Sequence, residues 1–428
     1  MTTTAQTMDE WVRTRALVNE RPDRLALIPD PEPDALFCPL YSVDDHVLEP
    51  PTLFDGRLPA RLQSGAPFVR VAENGLPMWV IDGNAWPITM ANAAAGVERS
   101  QWGWYCVKLD ELRAGVTDPT ARLHDLDLAG IWASLCFGSI VWGFAGTRIS
   151  KMSDQRVGLA TLRAYNDWMI EEWCGAAPDR YIPCQLPWMS DAEEAAAEIR
   201  RNAERGFRAV SFSENPEGLG FPSVYDRYWD PFFAACEETG TVVNLHVGSS
   251  GNTRQPSTAS PSDVSAALFP VNGLEAMIDW IYAAVPVRFP DLKIALSEAG
   301  VSWVPMALER LHRAHRNDVG RSWPAGAPDP DSLVQRNFFF CSIEDPSAFR
   351  SLDLIGEDNV MVEVDYPHFD TTWPDCQEMV RMQLRSLEPD VIRKVCYANA
   401  ARLYRMPPPP ADLVARSEAG ASASGTGA

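Results

Sequence analysis

Four short segments place residues that bind metals or move protons at the ends of apolar runs. SVDDHVLEPP carries Asp44, His46 and Glu49, NLHVG carries His246, LSEAG carries Glu298, and VDYPHFD carries Asp365 and His368. The whole chain has six histidines, so three of them falling in these segments is a concentration worth explaining. Asp44 and His46 are two residues apart, and on a strand they share a face while Asp45 points away. Joined by His246 and Asp365, they form a set of two nitrogens and two oxygens suited to Zn²⁺, Mn²⁺ or another borderline divalent ion. A catalytic ion also needs an open position for water or substrate. Glu298 and His368 are the candidates for proton transfer, His368 following a proline in a rim loop where burial is not expected. Taken singly, an Asp-x-His pair reads as a loop cap and a lone histidine as a core residue; the joint arrangement carries the metal reading.

Such a set requires a scaffold that brings distant segments together. Eight apolar runs rich in Val, Ile, Phe and Leu recur along the chain, at 40–47, 130–137, 181–187, 208–214, 241–247, 292–298, 337–343 and 360–365. Amphipathic stretches separate them, which is the pattern of parallel strands and helices. DAEEAAAEIRRNAERG illustrates a connecting helix, with Ser190 or Asp191 as cap and Gly206 as stop. Eight strands close a barrel, and in a (β/α)8 barrel chemistry sits at the C-terminal ends of the strands, where all the candidate residues lie. The expected fold is thus α/β, a distorted TIM (β/α)8 barrel with a long insertion between strands one and two.

The expected organisation is an N-terminal arm over 1–36, a metal-dependent barrel over 37–406 with the insertion at 50–113, and a disordered tail over 407–428. PFVRVAENGLPMWVIDG within the insertion reads as a β-hairpin turning at Asn74 and Gly75. Trp79, Trp86, Trp102, Trp104 and Tyr105 either roof a pocket or pack the insertion onto the barrel. Gly248, Ser249, Ser250 and Gly251 are candidates to hold an anion through backbone N–H groups, as are Arg57 and Arg99 through their side chains.

Charge and cysteine usage exclude other classes. The chain has 428 residues, 37 Lys plus Arg and 58 Asp plus Glu, for a formal net charge of −21; such a field repels polyanions, so nucleic acid is not an expected partner. Nine cysteines without a CxxC pair read as reduced, buried thiols. No 18-residue apolar run occurs, and MTTTAQTMDEWVRTR has no apolar stretch after a basic start; a cytoplasmic protein without a membrane partner is expected. A small-molecule substrate is the expected partner, and a homodimer is compatible with this reading. No GxSxG elbow appears, which disfavours a serine nucleophile.

The four motifs together resemble the amidohydrolase-related family, the amidohydrolase 2 group typified by aminocarboxymuconate semialdehyde decarboxylase, from about Tyr41 to Tyr404. The resemblance implies a distorted TIM barrel holding one divalent metal, with Asp44, His46, His246 and Asp365 in the ligand positions. Two departures stand out: Glu298 occupies the place where many decarboxylases of the family carry a histidine, and the first ligand pair is Asp-x-His. None of the four lysines, Lys108, Lys151, Lys293 and Lys394, lies at the end of strand four, where two-metal relatives bridge their ions, so the expected cofactor is a single ion, Zn or Mn, with no residues assigned to an organic cofactor. A carboxylate at position 298 suits removal of a proton from a metal-activated water, so the expected activity is hydrolysis of a small-molecule amide, lactone or related C–N or C–O bond. The alternative is non-oxidative decarboxylation of an aromatic or unsaturated carboxylic acid at the same mononuclear site. A non-enzymatic metal-binding barrel is the third reading, and the intact ligand set speaks against it. The roles of Glu49 and Glu214 stay open.

Overall fold

The computed structural model of the protein describes residues 20–32, 35–73 and 75–420. Eleven strands are found among them: β1 Leu40–His46, β2 Phe68–Val71, β3 Pro77–Ile81, β4 Asn84–Pro87, β5 Ile131–Phe137, β6 Tyr181–Gln185, β7 Ala209–Phe212, β8 Val242–His246, β9 Ile294–Ser297, β10 Phe338–Ser342 and β11 Val360–Val362. Eight form one parallel sheet in the order β1-β5-β6-β7-β8-β9-β10-β11. The segment after β11 brings the ends together, since the Asp365 N–H donates to the Asp44 carbonyl at 2.8 Å and the His46 N–H to the Tyr366 carbonyl at 2.7 Å. The expected TIM-type barrel is therefore the observed fold, its eight strands within the eight apolar runs.

Helices flank the strands for the reasons their sequences suggest. α3 (Ala192–Arg205; α1 is Pro119–Leu128 and α2 Gln155–Trp168) starts where the Asp191 carboxylate accepts the N–H groups of Glu193 and Glu194, and ends at Gly206, whose φ of 112° suits glycine alone. Ala192, Ala195, Ala196 and Ile199 form its buried stripe.

The barrel interior is filled by side chains from all eight strands, including Tyr41 and Val43 of β1, Leu135 and Phe137 of β5, Cys341 of β10 and Met361 of β11. Beneath them Tyr404 donates to the Asn244 side chain at 2.6 Å. Plain alternation from Tyr41 and Val43 would send Asp45 inward and Asp44 outward. The register between β1 and β5 shifts between Ser42 and Asp45, and this irregularity reverses the phase so that Asp44 and His46 face the mouth. Asp45 turns instead to the Ser42 and Ser134 hydroxyls and the Tyr366 N–H, tying β1, β5 and the segment after β11 together.

The insertion contains the expected antiparallel pair β2 and β3, with a third strand, β4, completing a small sheet. Asn74 lies outside the described residues. Its aromatics divide between the two expected roles: Trp79, Trp86 and Tyr105 are buried in the core, whereas Trp102 and Trp104 pack on Phe369 at the mouth. The tail expected to be disordered carries a short helix, Ala411–Arg416, and Glu418 returns to pair with Arg381 at 2.7 Å; residues 421–428 lie outside the described set, as do 1–19 of the arm. All nine cysteines are free and buried. Among the described residues no helix is long and apolar enough to cross a membrane.

Candidate metal centre

Asp44 and His46 at the end of β1, His246 at the end of β8 and Asp365 just beyond β11 converge. His46 Nε2 lies 3.2 Å from Asp44 Oδ1, 3.3 Å from Asp365 Oδ1 and 3.1 Å from His246 Nε2, and His246 Nε2 lies 3.5 Å from Asp44 Oδ2. Neighbouring donors on one tetrahedral ion, each about 2.0–2.2 Å from it, stand about 3.3 Å apart. The histidines are oriented for this: His46 Nδ1 faces the Gly138 carbonyl at 3.4 Å and His246 Nδ1 the Val247 carbonyl at 2.7 Å, leaving both Nε2 atoms toward the centre.

The carboxylates supply a second test. All four oxygens of Asp44 and Asp365 are buried without a hydrogen-bonding partner, an arrangement costly for a protein alone and expected where a cation completes it. Asp44, His46 and His246 form one group able to hold a metal ion, and His46, Asp365 and His368 another. A divalent ion such as Zn²⁺ or Mn²⁺ fits this donor set.

Glu298 and His368 stand beside the four. Glu298 Oε2 is 3.7 Å from His246 Nε2, and its N–H donates to Glu363 Oε2 at 3.0 Å. His368 is not exposed as its loop position suggested: it is 8% accessible, its ring stacked on His46 at 3.6 Å and its Nδ1 3.2 Å from Asp365 Oδ1, while Nε2 is buried without a partner. Three residues of this region hold left-handed backbone, Phe144 (φ 53°), Glu298 (φ 57°) and Asp365 (φ 58°). Strain of this kind costs on the order of 1–3 kcal/mol per residue and is commonly kept where function requires the geometry.

Two residues escaped the sequence reading. Glu363 is buried just past the end of β11, two positions before Asp365, and its Oε1 has no partner. Phe144, in the loop after β5, stacks on His246 with ring centroids 4.1 Å apart. The signal available for Glu363 was an acid inside the apolar run 360–365; nothing local marks Phe144.

Glu214 and the glycine-rich loop after β8 explain each other. Glu214 Oε1 accepts from the Gly248 N–H at 3.2 Å, the Ser250 hydroxyl at 2.6 Å and Asn272 Nδ2 at 3.2 Å. The donors of the loop are taken up by a carboxyl of the chain itself. Glu49 is likewise internal, accepting from Ser139 N–H at 2.9 Å and Ser139 O–H at 2.6 Å. Arg57 pairs with Glu171 and Glu172, and Arg99 stacks over Trp102.

A cavity of about 410 Å³ opens over the cluster, lined by Trp102, Trp104, Phe144, Phe369, Glu298 and His368 among others, with no Lys or Arg in its lining. Trp102 and Phe369 are parallel within 14° at 5.5 Å. A larger cavity, about 1060 Å³, lies elsewhere, beside Glu214 and Tyr225; the smaller one reaches Glu298 and His368 beside the cluster.

Burial sets the ionisation of the centre without a cation. It pushes Asp44, Glu298, Glu363 and Asp365 well above the usual carboxylate range, each reinforced by neighbouring acids, and raises Asp45 to about 6 and Glu214 to about 7. It lowers His46 and His368 well below the usual histidine range and His246 to about 4. A carboxyl raised on folding binds its proton more tightly in the folded chain, so its contribution is full below about pH 4 and is lost as pH rises through the folded value. A lowered histidine acts oppositely, but only up to about pH 6.5. Above that the carboxyls act alone. Chelator-treated protein should therefore lose several degrees of melting temperature between pH 6.5 and 8, and Mn²⁺ or Zn²⁺ should restore it; a flat profile in thermal unfolding with EDTA would contradict this electrostatic picture.

A family model described as amidohydrolase matches residues 144–406. The 2-keto-4-carboxy-3-hexenedioate hydratase of Sphingobium sp. (strain NBRC 103272 / SYK-6) is 24% identical over 218 residues, covering 49% of this chain and 59% of that protein; the match thus spans less than two thirds of the hydratase. Among solved structures, an amidohydrolase from Mycobacterium avium subsp. paratuberculosis K-10 is similar over 86% of this chain and 100% of its own, with TM-score 0.65 and 21% identity. The 5-carboxyvanillate decarboxylase from Sphingomonas paucimobilis is similar over 68% of this chain and 84% of its own, with TM-score 0.54 and 25% identity. A dihydroxybenzoic acid decarboxylase from Polaromonas sp. JS666, solved with bound manganese, covers 88% and 98% with TM-score 0.58 and 17% identity.

Proposed function

The chain belongs to the amidohydrolase family, and we propose that within it the protein is a metal-dependent lyase, a non-oxidative decarboxylase of an aromatic or conjugated carboxylic acid, with Asp44, His46, His246 and Asp365 as the ligands of one divalent ion. The observation that carries this reading is the composition of the cavity over the cluster. Its walls are aromatic, Trp102, Trp104, Phe144 and Phe369, and its charged lining residues, Asp263, Glu298 and Asp370, are acids, Arg99 standing outside the lining on the Trp102 ring. A flat ring suits such walls, but its carboxylate finds no arginine or lysine in the lining to pair with. The ion, when bound, supplies the missing positive charge and polarises the acid's oxygens.

The chain's own residues then position and protonate. Decarboxylation breaks the bond between the ring or vinyl carbon and the carboxyl carbon, releases CO₂, and requires a proton on the carbon left behind. Glu298 and His368 line the cavity; the Glu298 carboxyl, held well above the usual carboxylate range by burial, carries the proton to deliver, and the His368 imidazole can relay one. His368 is held in place by Asp365 and by the His46 ring, so its unpartnered Nε2 is the nitrogen available. Hydrolysis, the first expectation, draws less support: the named curated relative is a hydratase and the 25% identical structure a decarboxylase, both lyases. The hydratase makes water addition to a conjugated double bond a second reading.

Assays on the Mn²⁺-loaded protein distinguish these. Hydroxylated benzoates and unsaturated diacids are offered for CO₂ release and for water addition, and small amides and lactones for cleavage. CO₂ release that stops with EDTA is the expected result; amide or lactone cleavage without CO₂ would overturn the proposal.

A further inference from the structure

A second cavity, about 350 Å³, adjoins the metal cavity beside the C-terminal ends of β9, β10 and β11, and Glu298, Phe369 and Asp370 border both. Its chemistry is more acidic still. Among the described residues that line it, six carry carboxyls, Glu298, Glu344, Asp345, Glu363, Asp370 and Asp375, and one, Arg99, carries a base. A single guanidinium balances one carboxylate of six, and that of Arg99 lies over the Trp102 ring, 5.1 Å from its centre. Asp345 is occupied by the Val301 and Ser302 N–H groups and the Ser302 hydroxyl, and Glu298 stands beside the metal centre. Glu344, Glu363, Asp370 and Asp375 remain, and among the described residues none of these four has a basic side chain at ion-pairing distance.

Acids in water need no partner, and Glu344, Asp370 and Asp375 are exposed. Glu363 is different. It is 1% accessible, its Oε2 accepts the Glu298 N–H at 3.0 Å, and its Oε1 is buried without a partner, a costly state that a donor entering the cavity relieves. A cation beside that oxygen supplies the donor and, as an opposite charge, favours the ionised carboxylate. The spread of the acids distinguishes between cations. Among the described residues, three or more metal-binding side-chain atoms come within 4.8 Å of one another in two groups, both at the metal centre, and none of the four acids belongs to either. A bare ion needs its ligands drawn to a point. Acids set around about 350 Å³, the space of roughly a dozen waters, suit an ammonium on a carbon linker, with three N–H groups to donate.

We infer that this cavity is a subsite for an alkylammonium group of the substrate, so that the protein acts on a zwitterion whose carboxylate faces the metal centre and whose ammonium is held at Glu363. The inference rests on the reading of the metal cavity given above. Glu298 joins the two places directly, its Oε2 3.7 Å from His246 Nε2 and its N–H bonded to Glu363. The net charge of −21 draws a cation in the same direction.

Calorimetric titration of the full-length, Mn²⁺-loaded protein compares 3- and 4-(aminomethyl)benzoate with 3- and 4-(hydroxymethyl)benzoate, which match them in size without the positive charge. At least one ammonium probe should bind about tenfold more tightly than its hydroxymethyl counterpart, the factor expected of one charge-assisted hydrogen bond, and in Glu363→Gln that ratio should fall toward one. Glu344→Gln, at an exposed position, should lower the ratio as well and serves where near-ultraviolet circular dichroism shows the buried variant unfolded. The inference is overturned if no ammonium probe outbinds its counterpart, or if the parent's ratio survives in every folded variant. Elemental analysis tests for an inorganic occupant: a second Mn²⁺ per chain that is lost in Glu363→Gln gives the cavity to a metal ion and overturns the inference too. Hydroxymethyl probes that bind equally well in EDTA count against the metal cavity, while the ammonium ratio still decides the acidic one.

Discussion

His246→Ala should leave the protein without stoichiometric metal and without turnover. In the proposed set His246 supplies one of four donors, from a different strand than any other ligand, and its Nε2 faces His46 Nε2 at 3.1 Å. Removing it leaves Asp44, His46 and Asp365, a set short of one neutral nitrogen and richer in unbalanced negative charge. Loss of an outer partner of a metal ligand commonly costs about 10- to 100-fold in affinity, so loss of the ligand itself should cost at least about 100-fold. Turnover should fall by about 10³ or more, because several kcal/mol of charge stabilisation go with the ion. The substitution also removes a buried ring that stacks on Phe144 and meets Phe137 edge-on, so His246→Gln, closer in volume, serves as a second variant. Elemental analysis after dialysis decides: a folded variant of either kind that keeps one ion per chain removes His246 from the ligand set.

The parts of this centre that were legible in the sequence are those set by local periodicity. Apolar runs of strand length fall where β1 and β5–β11 form, because a barrel strand is buried on both sides and cannot hide polar residues except at its ends. Asp44, His46, His246 and Asp365 stood out for that reason, being polar where such a strand stops. The face on which Asp44 and His46 lie was not legible in the same way. It follows from the shift in register between Ser42 and Asp45, which depends on β5 as much as on β1. Phe144 and the burial of His368 were hidden for a related reason: both arise when loops after β5 and β11 fold over the mouth and stack on the histidines. β4 is four residues long, buries only Trp86 and ends in proline, so it carries no periodic signal and exists because β3 offers an edge to pair with. Trp79 and Trp102 are of one residue type within one insertion, and only tertiary packing sends the first to the core and the second to the cavity.

Glu298→Gln should retain the metal and lose the rate. The amide keeps the size of the side chain but carries no transferable proton of carboxylic acid strength, and general acid–base catalysis contributes about 10²–10⁴-fold. The loss should fall on kcat rather than KM, since the group acts on the reacting carbon and not on the anchoring carboxylate. Backbone strain at this position allows a control that separates chemistry from stability. Glu298 is held at φ 57°, a conformation that glycine adopts freely, so Glu298→Gly removes the acid while relieving about 1 kcal/mol of strain. The Gly variant should thus be as stable as the parent or more so, yet as inactive as the Gln variant, with metal still bound in both. A merely structural Glu298 predicts the reverse pattern, in which activity tracks stability and the Gly variant turns over. If Glu298→Gln works at the parent rate while His368→Gln does not, the proton passes through His368, which also lines the cavity and whose Nε2 is buried without a partner.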